Sequence, residues 1–150
     1  MRAARGFTLL EMVVVIALFA AVTALAASVV SRNLPGQQLR RAAKEVATQL
    51  RYTRARAISS GRPQVFVFDS RTREWRGPDR HHGQVPVSVN VVATAARSEQ
   101  AGDETAVVRF FPEGAATGGR FVFRHGSAAW QVDVEWLTGE VRVARTGSDG

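Results

Sequence analysis

The chain has 150 residues, enough for one modest domain with a hydrophobic core, and its formal net charge is +7. It contains no cysteine, which excludes a disulfide scaffold, a thiolate metal site and a cysteine nucleophile. Of its 20 basic residues, every one except Lys44 is arginine. Arginine suits phosphate and carboxylate forks, but a biased genomic base composition gives the same excess.

The first predicted element is the apolar run Phe7–Val30, in which Glu11 is the only charged residue. A helix of that length is about 36 Å long, against a hydrocarbon core of about 30 Å. Three interpretations are open: a plain membrane anchor, a secretory signal cleaved before Ala27, or a segment cleaved just before the apolar run and kept as a helix.

Glu11 discriminates between these interpretations. A carboxylate inside a membrane costs roughly 2.5–3.5 kcal/mol on insertion scales, and it is normally retained only with a partner. Neither a signal peptide nor a plain anchor has a use for such a residue. The sequence therefore favours cleavage on the cytoplasmic side and retention of the helix.

The residues RGFTLLE, at positions 5–11, resemble the prepilin-type leader and cleavage site of type IV pilins and type II secretion pseudopilins. The resemblance implies a leader at residues 1–6 that prepilin peptidase removes between Gly6 and Phe7, followed by N-methylation of Phe7. Glu11 then becomes the fifth residue of the mature chain. It can pair with the new ammonium group of a neighbouring subunit, which makes a costly acid an assembly contact.

Beyond residues 7–31, the predicted transmembrane and assembly helix, the residues Asn33-Leu34-Pro35-Gly36 predict a break. A second helix is expected over residues 37–60, with its end near Ser60 and Gly61. It carries a narrow stripe expected to pack on a sheet, with a basic flank expected to be solvated. The stripe consists of Leu39, Ala43, Val46, Leu50, Thr53 and Ala57.

The rest of the chain predicts an antiparallel sheet over residues 64–145, with residues 97–105 as a loop. Pro86 indicates a sheet edge or the start of a strand. The fold class is therefore α+β with a leading helix, and residues 32–150 form one domain. The expected strands are Gln64–Asp69, Glu74–Arg76, residues 85–92, Ala106–Phe111, Arg120–Arg124, Ala129–Trp136 and Glu140–Ala144.

Two stretches near the carboxyl end, FFPEGAATGGRFVF (110–123) and VDVEWLTGEVRV (132–143), resemble the H-type minor pseudopilins of the GspH/FimT family. The glycines of both stretches are expected in turns between strands. The resemblance implies a pilin-like fold and a structural subunit near the tip of the type II secretion pseudopilus. Such a subunit helps to initiate fibre assembly and supports the export of folded proteins across the outer membrane.

The partners implied by this resemblance are prepilin peptidase, the other minor pseudopilins, the major pseudopilin and the inner-membrane secretion platform. It also implies a single-pass inner-membrane protein with its carboxy-terminal domain in the periplasm. Charge does not set this orientation, because basic residues on the two sides of the apolar run make the positive-inside rule ambiguous.

The remaining motifs point to no catalytic chemistry, so we expect no enzyme, no cofactor and no metal. His81 and His82, with Asp79, lack the spacing of metal ligands, and the acids near residues 99–104 match no calcium motif. The glycine-rich loop at 114–119 lacks the ending of a phosphate-binding loop. The three tryptophans, Trp75, Trp130 and Trp136, are expected in the core or an interface.

An alternative function of another class is a FimT-like minor pilin of the type IV pilus that binds DNA during natural transformation. The net charge of +6 over residues 32–150 permits nonspecific phosphate contacts. The basic residues are, however, scattered through helix and turns, so nucleic acid is not the expected partner. The salt dependence of duplex DNA binding separates the two functions.

Overall fold

A computed structural model describes residues 8–97 and 105–147 of the chain, which divides into two compact units, Met1–Leu34 and Pro35–Gly150. One long helix, α1 (Leu9–Ser60), leads into the strands. Within the described residues, no helix combines the length and the hydropathy that crossing a bilayer requires.

The predicted break at residues 33–36 is wrong, because α1 is assigned as helix without interruption from Leu9 to Ser60. A proline inside a helix removes a single backbone hydrogen bond and costs about 3 kcal/mol. Helix propagation is cooperative. Long helical segments on both sides can therefore keep the residues around one proline helical. The predicted end is confirmed: α1 stops at Ser60, and Gly61 follows with a φ of 62°, the left-handed conformation common just after helices.

The predicted apolar stripe of α1 is confirmed, and every member has a relative exposure of 0%. Ala42 and Ala47 are also buried and widen the stripe. Thr53 is the polar member, and its hydroxyl donates to the carbonyl of Gln49 at 2.8 Å, so that its burial leaves no unpaired donor.

The strands form one antiparallel sheet of eight, in the order β3-β2-β1-β5-β4-β6-β7-β8. The sheet's inner face presents phenylalanines to the stripe of α1, and Phe66, Phe110 and Phe121 are fully buried. The α+β class, with a leading helix and an antiparallel sheet, is therefore confirmed. The strands are β1 (Gln64–Asp69), β2 (Glu74–Arg76), β3 (His82–Gln84), β4 (Asn90–Arg97), β5 (Thr105–Phe110), β6 (Gly119–His125), β7 (Ala128–Val134) and β8 (Val141–Thr146).

Two strand predictions are wrong in their placement. The alternating valines at residues 85–92 predicted a strand, but β4 begins only at Asn90, and Val89 donates its N–H to the carbonyl of Pro86 in a turn. Val85 and Val89 are buried, whereas Val87 is 79% exposed. The predicted loop at 97–105 lies largely outside the described residues. At the other end of the sheet, β7 stops at Val134, two residues before the predicted end.

Arginines on α1 tie the helix to the glycine-rich loop at residues 114–119 and to the start of β8. Arg54 Nε donates to the carbonyl of Gly114 at 3.1 Å, and Arg51 donates to the carbonyl of Val141 at 2.9 Å. Gly139 has a φ of 63°, and a Cβ there would overlap the carbonyl oxygen of Gly114. We call these contacts of Arg51, Arg54, Gly114, Gly139 and Val141 the helix–loop clasp.

We expect Gly139→Ala to lower the free energy of unfolding by ~1–2 kcal/mol from its left-handed backbone and a further ~1–3 kcal/mol from steric overlap in the clasp. The measurement is chemical denaturation of the full chain in detergent. Gly126→Ala is the matched control, because its φ of 56° is similar but a Cβ there meets nothing within 4 Å. If the two variants lose equal amounts of unfolding free energy, steric overlap with Gly114 does not contribute to the destabilisation.

Candidate functional site

The first candidate site is the start of α1, where Thr8 is the residue before the first helical residue, Leu9. The hydroxyl oxygen of Thr8 accepts the N–H of Glu11 at 3.2 Å, and its carbonyl accepts the N–H of Met12 at 3.2 Å. Thr8 is therefore the N-cap of α1, and its side chain satisfies a backbone donor that has no partner within the helix.

This cap has a signal in the sequence, although the apolar run and its single acid alone do not point to Thr8. Thr8-Leu9-Leu10-Glu11 has the T-x-x-E spacing of a capping box, in which the acid also favours the positive end of the helix dipole. The structure places Glu11 in the first turn with an exposed side chain. Gly6 and Phe7, the predicted cleavage and methylation residues, lie outside the described residues, so the contact between Glu11 and a Phe7 ammonium stays a prediction.

Large apolar side chains in the first turns of α1, on both sides of Glu11 in the sequence, are exposed rather than packed within the chain. Exposed apolar surface of this extent marks a segment that lipid or other protein covers. The most exposed members, all at 61–83%, are Leu9, Leu10, Ile16, Leu18, Phe19 and Val22.

The second candidate site joins α1 to the short 3-10 turn Pro78–Arg80. The carboxylate of Asp79 accepts the hydroxyl of Tyr52 at 2.6 Å and Nη2 of Arg56 at 3.0 Å, while Arg56 Nε lies 2.7 Å from its other oxygen. The ring of His81 stacks on Tyr52 with centroids 4.6 Å apart. We call Tyr52, Arg56, Asp79 and His81 the Asp79 cluster.

The Asp79 cluster holds a strained backbone in place. Asp79 and Arg80 have φ angles of 56° and 62°, a conformation that side chains other than glycine rarely adopt. Such residues cost of order 1–3 kcal/mol each and persist only where the surroundings fix them. Here Asp79 is fixed by its two donors on α1, and the Gly77 N–H donates to the His81 carbonyl at 2.8 Å.

The two histidines do not converge on a metal. His81 Nδ1 lies 3.2 Å from Oε1 of Gln49, and His82 Nδ1 lies 2.9 Å from the carbonyl of Arg80. Among the residues that the structure describes, no group of three or more His, Cys, Asp or Glu side chains could hold a metal ion. The histidines therefore serve the turn, through stacking and through contacts with amide and carbonyl oxygens.

The tryptophans differ in their environments. Trp75 is buried, with 3% exposure, and stacks near Phe66 at 6.1 Å between ring centroids. Trp130 is half-buried, and the guanidinium carbon of Arg40 lies 5.7 Å from its ring centroid, in the range of a cation–π contact. Trp136 lies beyond the end of β7 and is 64% exposed, so it does not share the buried face of that strand.

The fold defines the class of protein. The structure of the minor pseudopilin EpsH from the Type 2 Secretion System of Vibrio cholerae matches with a TM-score of 0.59 at 12% identity, over 72% of this chain and 97% of that one. The type IV minor pilin FimU of Pseudomonas aeruginosa matches with a TM-score of 0.53 at 12% identity, over 73% of this chain and 98% of that one. At these identities the likeness establishes a pilin-like fold.

The particular family follows from the sequence comparisons. Residues 42–139 match the family of the type II transport protein GspH, and residues 1–27 match the prokaryotic N-terminal methylation motif. The Type II secretion system protein H of Xanthomonas campestris pv. campestris is 46% identical over 141 residues, which cover 94% of this chain and 83% of that protein. The chain belongs to the GspH family.

The Asp79 cluster predicts a pH dependence of stability. The hydrogen bond from Tyr52, followed by that from Arg56, lowers the pKa of Asp79 below its ordinary value of 3.8. A carboxylate whose pKa is lower in the folded than in the unfolded chain stabilises above the unfolded value, and this contribution is lost as the pH falls through the folded value.

We therefore expect the difference in melting temperature between the parent chain and Asp79→Asn to shrink as the pH falls from neutral to below 3.8. The measurement is thermal unfolding followed by circular dichroism at several pH values. Glu113→Gln is the control, because it removes one exposed carboxylate outside the cluster. A difference in melting temperature that stays constant with pH would contradict the lowered pKa of Asp79.

Proposed function

We propose that this chain is a minor pseudopilin of the type II secretion system, a structural subunit near the tip of its fibre. The observation that carries the proposal is the presence of two family matches in one chain: the N-terminal methylation motif at residues 1–27 and the GspH domain at residues 42–139. The relative from Xanthomonas campestris supports the same assignment along almost the whole chain. The proposed role is assembly and requires no catalysis.

Maturation is the first step of the proposed function. Prepilin peptidase cuts between Gly6 and Phe7, and the new amino group of Phe7 is then methylated. Cleavage creates a positive charge four residues before Glu11. In a bundle of identical or related helices, the ammonium group of one subunit pairs with the Glu11 carboxylate of its neighbour and sets their register.

The apolar segment at residues 7–31 anchors the subunit in the inner membrane before assembly, with the domain at residues 32–150 in the periplasm. The support is the run Phe7–Val30, whose only charge is Glu11, and the exposure of apolar side chains along the first turns of α1. In the fibre, helices of other subunits replace lipid as the cover of this face.

The partners in this proposal are the other minor pseudopilins, the major pseudopilin and the inner-membrane secretion platform. Joined to them, the subunit helps to start the fibre that supports the export of folded proteins. The DNA-binding pilin alternative is not favoured, because several arginines have partners within the chain: Arg54 in the clasp, Arg56 on Asp79 and Arg120 on Asp133 at 2.6 Å.

Intact-mass analysis of the chain extracted from membranes tests the maturation step. We expect a mature chain that begins at Phe7 and carries one added methyl group. A chain that begins at Met1 would indicate a plain anchor, and one that begins at Ala27 would indicate a secretory signal; either result contradicts the proposal.

Substitution of Glu11 tests the assembly contact. We expect Glu11→Leu to leave the chain inserted and folded but to impair its co-purification with other pseudopilins and the secretion of exoproteins. The matched variant is Glu11→Gln, which preserves the capping-box chemistry but carries no charge. If the role of Glu11 is only to cap α1, Glu11→Gln assembles normally; if Glu11 pairs with an ammonium, both variants fail.

A further inference from the structure

A polar cleft of about 540 Å³ lies at the end of the sheet where three chain segments meet. The turn between β1 and β2 contributes Ser70 and Arg73, residues 87–91 form a second side, and the end of β6 contributes Arg124 and His125. None of the described residues that line the cleft is Asp or Glu. Two guanidinium groups and an imidazole thus share one cleft, and no carboxylate belongs to its lining as far as the structure describes the chain.

Arg73 is the most unusual of these residues. Its φ is 58°, an uncommon conformation for a residue with a side chain, and its Nε is buried with no hydrogen-bond partner among the described residues. The turn that carries it is well fixed, since Asp69 accepts the N–H groups of Arg71 and Thr72 at 2.8 and 3.0 Å. A buried donor on a charged group is costly unless it has an acceptor.

The opposite side of the cleft is tied to the beginning of the second unit. His125 Nδ1 donates to the carbonyl of Ser88 at 2.6 Å, and the hydroxyl of Ser88 donates to Oε1 of Gln38 at 2.8 Å. Gln38 is three residues beyond Pro35, the first residue of that unit. The cleft therefore lies at the end of the domain to which the N-terminal apolar segment is connected.

Two further features at this end fit a lipid surface. Val87 lines the cleft and is 79% exposed, so an apolar side chain stands beside the basic groups. Arg41 and Lys44, within two turns of Gln38 on α1, are exposed as well. Exposed apolar side chains next to arginine and lysine are the composition with which proteins bind the interface of anionic membranes.

We propose that this cleft binds a phosphate group, supplied by the headgroup of an anionic phospholipid, through the guanidinium groups of Arg73 and Arg124. Both arginines offer planar pairs of N–H donors that match phosphate oxygens. The lipid source rests on the proposed function, in which the apolar segment leads from the membrane to this end of the domain. Lipid bound there steadies the domain on the membrane before the subunit enters the fibre.

The test uses the full chain in detergent, titrated with dioleoylphosphatidylglycerol and followed by native mass spectrometry. We expect the double variant Arg73→Gln/Arg124→Gln to bind this lipid about tenfold more weakly or worse, because two charged hydrogen-bond donors are lost. The matched control is Arg109→Gln/Arg145→Gln, which removes the same charge from exposed positions outside the cleft. It should stay within about twofold of the parent chain, since distant exposed charges are screened.

Further titrations identify the molecule that supplies the phosphate. Dioleoylphosphatidylcholine, which has a phosphate but no net charge, should bind more weakly than phosphatidylglycerol, and glycerol 3-phosphate should not compete. Ser70→Asp, which adds a carboxylate to an exposed turn at the cleft, should also weaken lipid binding, and circular dichroism checks that each variant is folded.

Three results would overturn the proposal. The cleft variants could bind phosphatidylglycerol as tightly as the parent chain, or glycerol 3-phosphate could compete fully, which assigns the cleft to free phosphate. Unchanged lipid binding together with lost co-purification of other pseudopilins would assign it to carboxylates of a protein partner. Intact mass and carbonate extraction of the same membranes report separately on maturation and anchoring, so failure of the proposed function is recognised independently.

Discussion

The domain depends on the contact between the apolar stripe of α1 and the phenylalanine-bearing face of the sheet. Leu39, Val46 and Leu50 are fully buried, at helical spacing, in one core cluster with Phe66 and Phe121. Because this contact fixes the rotation of α1 about its axis, it also fixes which side chains reach the loops. Arg51 and Arg54 leave the stripe on the side of the helix–loop clasp, and Tyr52 and Arg56 reach Asp79.

The parts of the fold that sequence periodicity could predict are those in which one face is buried throughout. The stripe of α1 repeats at three and four residues, and β1 alternates buried phenylalanines with less buried residues, so both were located correctly. The same reasoning gave a wrong prediction for the valines at residues 85–92. Val85 and Val89 are both buried, but a turn through Pro86 separates them, and alternation alone does not distinguish this arrangement from a strand.

The candidate sites also show which features can be predicted from the sequence and which cannot. Glu11 was found because a carboxylate in an apolar run conflicts with the free energy of membrane insertion, a rule that needs no structure. Thr8 was missed although its T-x-x-E spacing was visible in the sequence. The Asp79 cluster and the cleft at Arg73 could not be found, since their members lie on separate segments and meet only when the sheet packs on α1.

The N-cap at Thr8 bears on how the chain tolerates being cut. The proposed scissile bond, between Gly6 and Phe7, lies ahead of the cap, whose hydrogen bonds involve only Thr8, Glu11 and Met12. Proteolysis at that bond removes none of the groups that nucleate α1. The precursor and the mature protein can therefore begin α1 at the same residue, and cleavage leaves the hydrogen bonds of the cap intact.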